Sequence, residues 1–315
     1  MRPSRQPEAG PELLPTAQAI LGRANGENFP VASRLLPKAL RRDLLALYGF
    51  ARLTDEIGDG DHPPAEILAA LDWLDAEIDR AAAGRARHPL LVAAGDTIRR
   101  HRLDPGVFHQ LVQANRQDQT VRRYGSFEQL VDYCRLSAMP VGRMVLGVVH
   151  ADSAERVAWS DDVCVALQLV EHCQDVFEDA GRDRVYLPAE DLALFGCDEA
   201  DIMAARPTDA VRAAVALQID RSRSLLSAGA PLAASLPGRL RLAVAAFAAG
   251  GLGAADELRR RGYAPLTPGA GTDIGRRARR LGSLLWHTAR LAGAGVNQPA
   301  AAIAPVAVTS PRASR

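Results

Sequence analysis

The sequence predicts an all-α fold, a single-domain helical bundle, on three observations. Hydrophobic residues make up 48% of the 315 residues while aromatics reach only 5%, and the dominance of Ala and Leu favours packed helices over strands. Apolar residues recur at helical spacing along most of the chain, and no alternating run of useful length competes with them. Two segments far apart in sequence, Tyr48 to Asp59 and Gln168 to Asp179, each carry an acid pair at four-residue spacing in an otherwise largely apolar helical stretch.

The elements follow in order. Residues 1–15, rich in Pro, Glu and Arg, read as a disordered tail. The helical domain is expected over 16–295 and a loose Ala/Pro/Ser-rich tail over 296–315. A short helix is expected from Thr16 to Ala24, broken by Glu27-Asn28-Phe29-Pro30. Pro37 suits the first turn of the next helix, where its missing N–H costs nothing. That helix carries Leu40, Leu44, Leu47 and Ala51 on one face and ends near Gly58. Pro63-Pro64 marks a loop, and Ile67, Leu71, Leu74 and Ile78 form the next apolar stripe. His88-Pro89 opens a helix through about His101, and Asp104-Pro105 opens another whose Val107, Phe108, Leu111 and Val112 turn inward.

Ser126-Phe127-Glu128-Gln129 has the form of a capping box. Its helix passes Tyr133 and Cys134 and meets Pro140 and Gly142, where a proline breaks or kinks the helical ladder. Ser153 is placed to cap the long helix that carries the second acid pair. Gly181 to Pro188 is a polar loop, and Glu199 to Ala205 a short helical turn. Helices are expected at Val211 to Ala228, Arg239 to Arg260 and Ile274 to Ala292.

Composition bounds the function. A formal net charge of +1 implies no whole-chain preference for polyanions, so nucleic acid is not an expected partner. Cys134, Cys164, Cys173 and Cys197 form no CxxC pair, which points away from a zinc site or a disulfide framework and towards a reduced cytoplasmic setting. Met1 to Pro15 lacks the apolar run of a signal peptide, and Leu242 to Ala255 is too short and glycine-rich to span a bilayer. Arg276, Arg277, Arg279 and Arg280 beside Leu281, Leu284 and Leu285 are compatible with a solvated face or with peripheral contact at the inner membrane surface.

The chemistry sits on the two acidic helices. Residues three, four and seven apart share a helical face, so Tyr48, Arg52, Asp55 and Asp59 form one polar stripe and Gln168, Glu171, Asp175 and Asp179 another. Each pair alone fits a solvated surface, with Arg52 answering Glu56. Repeated in a second helix, the pattern fits two walls of a site for divalent cations, because hard Mg²⁺ is held by a carboxylate or two together with substrate phosphates. Gly251-Leu252-Gly253 has no strand before it, so no NADPH site is expected there. His172 can point into the core or towards the acidic stripe.

With both stripes in view, residues 25–290 resemble the squalene/phytoene synthase family of isoprenoid enzymes. The resemblance rests on Tyr-x-Phe-x-Arg-x-x-Asp-x-x-x-Asp at 48–59 and on Gln-x-x-x-x-x-x-Asp-x-x-x-Asp at 168–179 followed by Arg184-Val185-Tyr186-Leu187-Pro188. It rests also on Tyr133-Cys134 followed by Ser137-Ala138-Met139-Pro140-Val141-Gly142. The resemblance implies an isoprenoid synthase bundle with a central active-site cavity acting on a prenyl diphosphate, with Mg²⁺ held by Asp55, Asp59, Asp175 and Asp179. Glu171 stands where many members have Asn, and either adds a metal ligand or anchors a base or water. Tyr48, Arg52 and Tyr133 would serve the reaction. Gln168, Arg184 and Tyr186 would line the diphosphate pocket, Asn28, Phe29 and Ser33 lie in a segment that would close over it, and Ala138 and Gly142 would shape the cavity. The stretches at 27–33, 137–143 and 174–176 look most like the hydroxysqualene synthase branch, which acts on presqualene diphosphate without NADPH and would work beside other enzymes of squalene biosynthesis. Head-to-head condensation of two prenyl diphosphates is the rival within the family, and a non-catalytic helical scaffold the rival outside it.

Overall fold

A computed structural model describes residues 14–23 and 36–266. The positions of Asn28, Phe29 and Ser33, the expected helix at 274–292 with its arginine cluster and the C-terminal tail lie outside the described residues. Among those described, helices α1 to α13 follow one another with no strand: α1 Ala17–Arg23, α2 Lys38–Gly58, α3 Pro64–Ala82, α4 Pro89–His101, α5 Gly106–Gln117, α6 Phe127–Ser137, α7 Met139–Val148, α8 Ala154–Ala180, α9 Ala189–Leu194, α10 Glu199–Met203, α11 Asp209–Ala228, α12 Pro231–Ser235 and α13 Gly238–Arg260.

The helix starts follow local chemistry. Prolines stand at N-cap or first-turn positions of α3, α4 and α7, where the absent N–H would have no helical partner. Ser153 accepts from the Arg156 N–H and Thr208 from the Val211 N–H, each satisfying an orphan donor. The capping box at Ser126 is half-formed. Its hydroxyl accepts from the Gln129 N–H at 3.3 Å, but the Gln129 side chain reaches past Ser126 to the Gly125 N–H at 2.8 Å.

The predicted stripes become the core. Leu53, Leu71, Leu74 and Leu91 are fully buried where α2, α3 and α4 meet, and Phe50 meets Phe108 of α5 edge to face at 5.0 Å. Each such side chain contributes on the order of 1.5–3 kcal/mol through the apolar surface it hides. A second core lies along the far side of α8, where Val170, Cys173 and Phe177 pack with Val211, Val215 and Ile219 of α11. Helix α7 packs against both α2 and α8, and so spaces the two acidic helices.

The break before Pro140 falls at Ala138, between α6 and α7. Gly142, expected to shape the cavity, instead lies within α7, which runs through it without interruption. Its missing side chain lets α7 approach α8, since a Cβ there would come within 2.3 Å of the Ser160 hydroxyl and 2.7 Å of the Cys164 sulfur.

Candidate active site

The acids on α2 and α8 lie near enough for Glu171 to act on Asp55, with α7 packed against both helices. The Asp55 side chain is accessible, yet protein atoms crowd round it. That crowding, followed by the neighbouring charge of Asp59, pushes its carboxyl up to about 7, and the negative charge of Glu171 on α8 adds to the effect. Burial and Asp175 push Asp179 up to about 8, and burial and Glu178 push Asp175 up to about 6. These are like charges gathered ahead of a counter-charge. Among the described residues, no group of three or more His, Cys, Asp or Glu is close enough to hold a metal ion by itself.

Arginines tie the two walls together. Arg184, buried in the loop after α8, donates from Nη1 to Asp59 Oδ1 at 2.8 Å. Arg182 lies 3.6 Å from Asp59 Oδ2 and 3.8 Å from Glu178. The loop is fixed by backbone: the Val185 N–H donates to the Arg122 carbonyl at 3.0 Å, and Arg123 pairs with Val185 as an isolated bridge. Arg52 forms an ion pair with Glu56 at 2.8 Å, one turn along its own helix. Tyr48 is half-buried on the same helix.

Helix α5 supplies residues that sequence patterning missed. Asn115 hydrogen-bonds Asp55, and its amide presses so close to Gly58 that a Cβ there would lie 1.9 Å from its oxygen. A side chain here would force the Asn115 amide aside. Gln119 donates to the Gly58 carbonyl at 3.0 Å. Just past the helix end, Asp118 is buried and accepts from the Tyr133 hydroxyl at 2.7 Å and from the Tyr186 hydroxyl at 3.2 Å. Burial raises Asp118 to about 6, with the two phenols and Arg184 opposing the rise.

Around Asp118 stands an aromatic wall. Tyr186 stacks on His172 at 3.8 Å between centroids and on Tyr124 at 5.7 Å, with Tyr133 tilted against both tyrosines. Ala138, Met139, Val165 and Leu169 complete this cluster. His172 is therefore a core residue: burial lowers it to about 3 and keeps it neutral. Gln168 lies 3.3 Å from the His172 ring nitrogen Nε2. The structure thus brings Asp55, Asp59, Glu171, Asp175, Asp179 and Arg184 to one pole and Tyr133, Tyr186, Gln168 and Ala138 to the adjoining wall. A separate apolar groove of about 470 Å³, lined by Leu21, Arg41, Leu45 and Leu90, lies by the other end of α2.

Residues 23–282 match the squalene/phytoene synthase family. The chain belongs to the squalene/phytoene synthase family. This family acts on prenyl diphosphate substrates. The chain is similar to the solved squalene synthase HpnC from Alicyclobacillus acidocaldarius, at 40% identity and a TM-score of 0.72, covering 78% of this chain and 93% of that one. It is also similar to a hydroxysqualene synthase of Sinorhizobium fredii, 39% identical over 57% of this chain and 61% of that protein. A 15-cis-phytoene synthase of Synechococcus elongatus is 33% identical over 70% of this chain and 76% of that protein. No helix among the described residues is long and apolar enough to cross a membrane.

Proposed function

We propose that the chain is a hydroxysqualene synthase: it takes presqualene diphosphate and water to hydroxysqualene and diphosphate. The observation that carries this reading is the placement of Glu171, an extra carboxylate on α8 close enough to Asp55 on α2 to raise it, where many family members have Asn. Gln174 precedes Asp175 where condensing members often carry Arg, so a second diphosphate has one cation fewer to meet it. An enzyme that ionises one diphosphate and does not condense two needs less positive charge.

The donor set suits Mg²⁺. It is made of carboxylate oxygens, it gathers negative charge, and its acids come as pairs on two helices, the kind of donors that hold Mg²⁺ together with substrate phosphates. Asp55 and Asp59 would hold ions from the α2 side, and Glu171, Asp175 and Asp179 from the α8 side. Bound there, Mg²⁺ would supply the positive charge that a departing diphosphate requires.

The chain's own residues do the rest. Arg184 and Arg182 lie beside Asp59 and can turn to the diphosphate as it loses its ester bond, stabilising charge as it develops. The cyclopropylcarbinyl cation left behind would rearrange beside the apolar cluster of Ala138, Met139, Val165 and Leu169, whose side chains offer it no competing nucleophile. Tyr133 and Tyr186 place the polar atoms on that wall. His172, held neutral, carries no charge to repel the cation. Cytoplasmic working, with delivery of an apolar product at a membrane surface, agrees with this chemistry.

Product analysis tests the reading. Purified protein with Mg²⁺ and presqualene diphosphate is expected to release hydroxysqualene with or without NADPH. Efficient formation of presqualene diphosphate or phytoene from two shorter prenyl diphosphates would assign it to the condensing branch instead.

A further inference from the structure

We propose that Asp118 is a positioning residue that sets the orientation of the Tyr133 and Tyr186 hydroxyls in the buried aromatic cluster beside the acidic pole. The proposal rests on the family-level reading that a carbocation forms beside that cluster. A carboxylate in an apolar aromatic cluster costs free energy unless its oxygens are filled. Both oxygens of Asp118 are filled by phenols: Oδ2 by Tyr133 and Oδ1 by Tyr186. The two tyrosines come from different elements, α6 and the loop after α8, so one side chain at the end of α5 fixes both.

The consequence is directional. A phenol has one proton, and an ionised carboxylate only accepts. Each tyrosine commits its proton to Asp118, so what each oxygen turns elsewhere is lone-pair density. A wall beside a cation then presents acceptors, which suit a positive centre or the hydrogens of a trapped water; donors pointing the same way would oppose both. The stacking of Tyr186 on His172 and Tyr124 fixes the ring plane, but not the hydroxyl rotor. Asp118 fixes the rotor. Arg184, whose charge acts on Asp118 while its Nη1 holds Asp59, links this wall to the acidic pole.

The rival reading is that Asp118 only staples α5 to α6. Asp118→Asn separates the two. It keeps the volume, but the amide accepts through one oxygen and donates from nitrogen, so one phenol must reverse. Activity is measured on whichever prenyl diphosphate the wild type consumes. The positioning role predicts a kcat loss of about tenfold or more with KM within about twofold, because binding is retained and only the cation step suffers. Tyr133→Phe is expected to give a similar loss, and the double variant to be no worse than the worse single. The tyrosine ultraviolet difference spectrum of Asp118→Asn against wild type is expected to shift to the blue, because a phenol loses a carboxylate acceptor. Unchanged kcat, or losses that multiply in the double variant, would overturn the proposal. Should Asp118→Asn fail to fold, Tyr186→Phe, which leaves Asp118 its shorter bond to Tyr133, is expected to show the same kcat-only loss, and normal turnover there overturns the proposal equally. A wild type that consumes no prenyl diphosphate sinks the functional reading, and a flat difference spectrum sinks this inference independently of any substrate.

Discussion

The acidic pole and the tyrosine wall solve opposite electrostatic problems within one site. At the acidic pole, burial first and neighbouring carboxylates second raise Asp55, Asp175 and Asp179, with Asp59 and Glu171 acting on Asp55, Glu178 on Asp175 and Asp175 on Asp179, against Arg52, Arg182 and Arg184. At the wall, a single carboxylate has both oxygens filled and a guanidinium nearby. The first region is unfinished without a polycation-bearing ligand; the second is complete in itself. Charge left unbalanced in the folded protein marks where a charged substrate belongs, and charge that is fully answered marks where geometry is being held.

That contrast can be broken by substitution. The largest effect is expected for Asp55→Asn or Asp175→Asn, which remove a ligand from the charged pole. Turnover at saturating Mg²⁺ should fall by about a hundredfold or more, the scale of losing one preorganised electrostatic partner of a leaving group. Folding should be unharmed, because the lost charge opposes its neighbours in the free protein. Near-normal turnover in either variant would detach these acids from the chemistry.

A second expected outcome concerns pH. Asp179 is raised from an ordinary value of about 3.9 in an unfolded chain to about 8 in the folded protein. The folded state therefore holds the proton more tightly than the unfolded chain, so stability is fully present below about pH 4 and is lost as pH rises through about 8. Asp179→Asn should raise the metal-free Tm at pH 8 and leave it unchanged at pH 4, by thermal unfolding at both. An equal gain at the two pH values would mean that burial of charge is not the cause.

The smallest effect is expected at Glu171, the residue that joins the two helices electrostatically. Glu171→Gln should raise the Mg²⁺ concentration needed for half-maximal turnover by about threefold to tenfold, the cost of one carboxylate ligand among several, while the product stays the same. An unchanged Mg²⁺ requirement with a shift to unhydroxylated hydrocarbons would place Glu171 at the water-capture step.

The two regions also differ in how much of them the sequence displays. The acidic pole was legible because each half lies in one helix, where four-residue spacing reports a shared face directly. Glu171, Asp175 and Asp179 needed no knowledge of tertiary structure. The wall was half legible: Tyr133 and Tyr186 stand in recognisable motifs, but Asn115 and Asp118 lie in Asn-Arg-Gln-Asp-Gln, which is indistinguishable by pattern from a solvated helix end. Their roles arise where α5 crosses Gly58 and where three elements meet, and no local spacing encodes that. Gly142 shows the same limit: beside Pro140 it reads as a helix breaker, yet in three dimensions it is the contact where α7 meets Ser160 and Cys164. The short helices α9 and α12 escaped notice because five or six residues are too few to establish a period.

The most direct test of the account is thermal unfolding of the full chain with Mg²⁺ alone, inorganic diphosphate alone and both together. The incomplete acid pairs predict little change in Tm from either alone and a rise of several degrees from the two combined, lost in Asp55→Asn and in Asp175→Asn. A full rise with Mg²⁺ alone, or a combined rise that survives both substitutions, would contradict a site completed by the diphosphate.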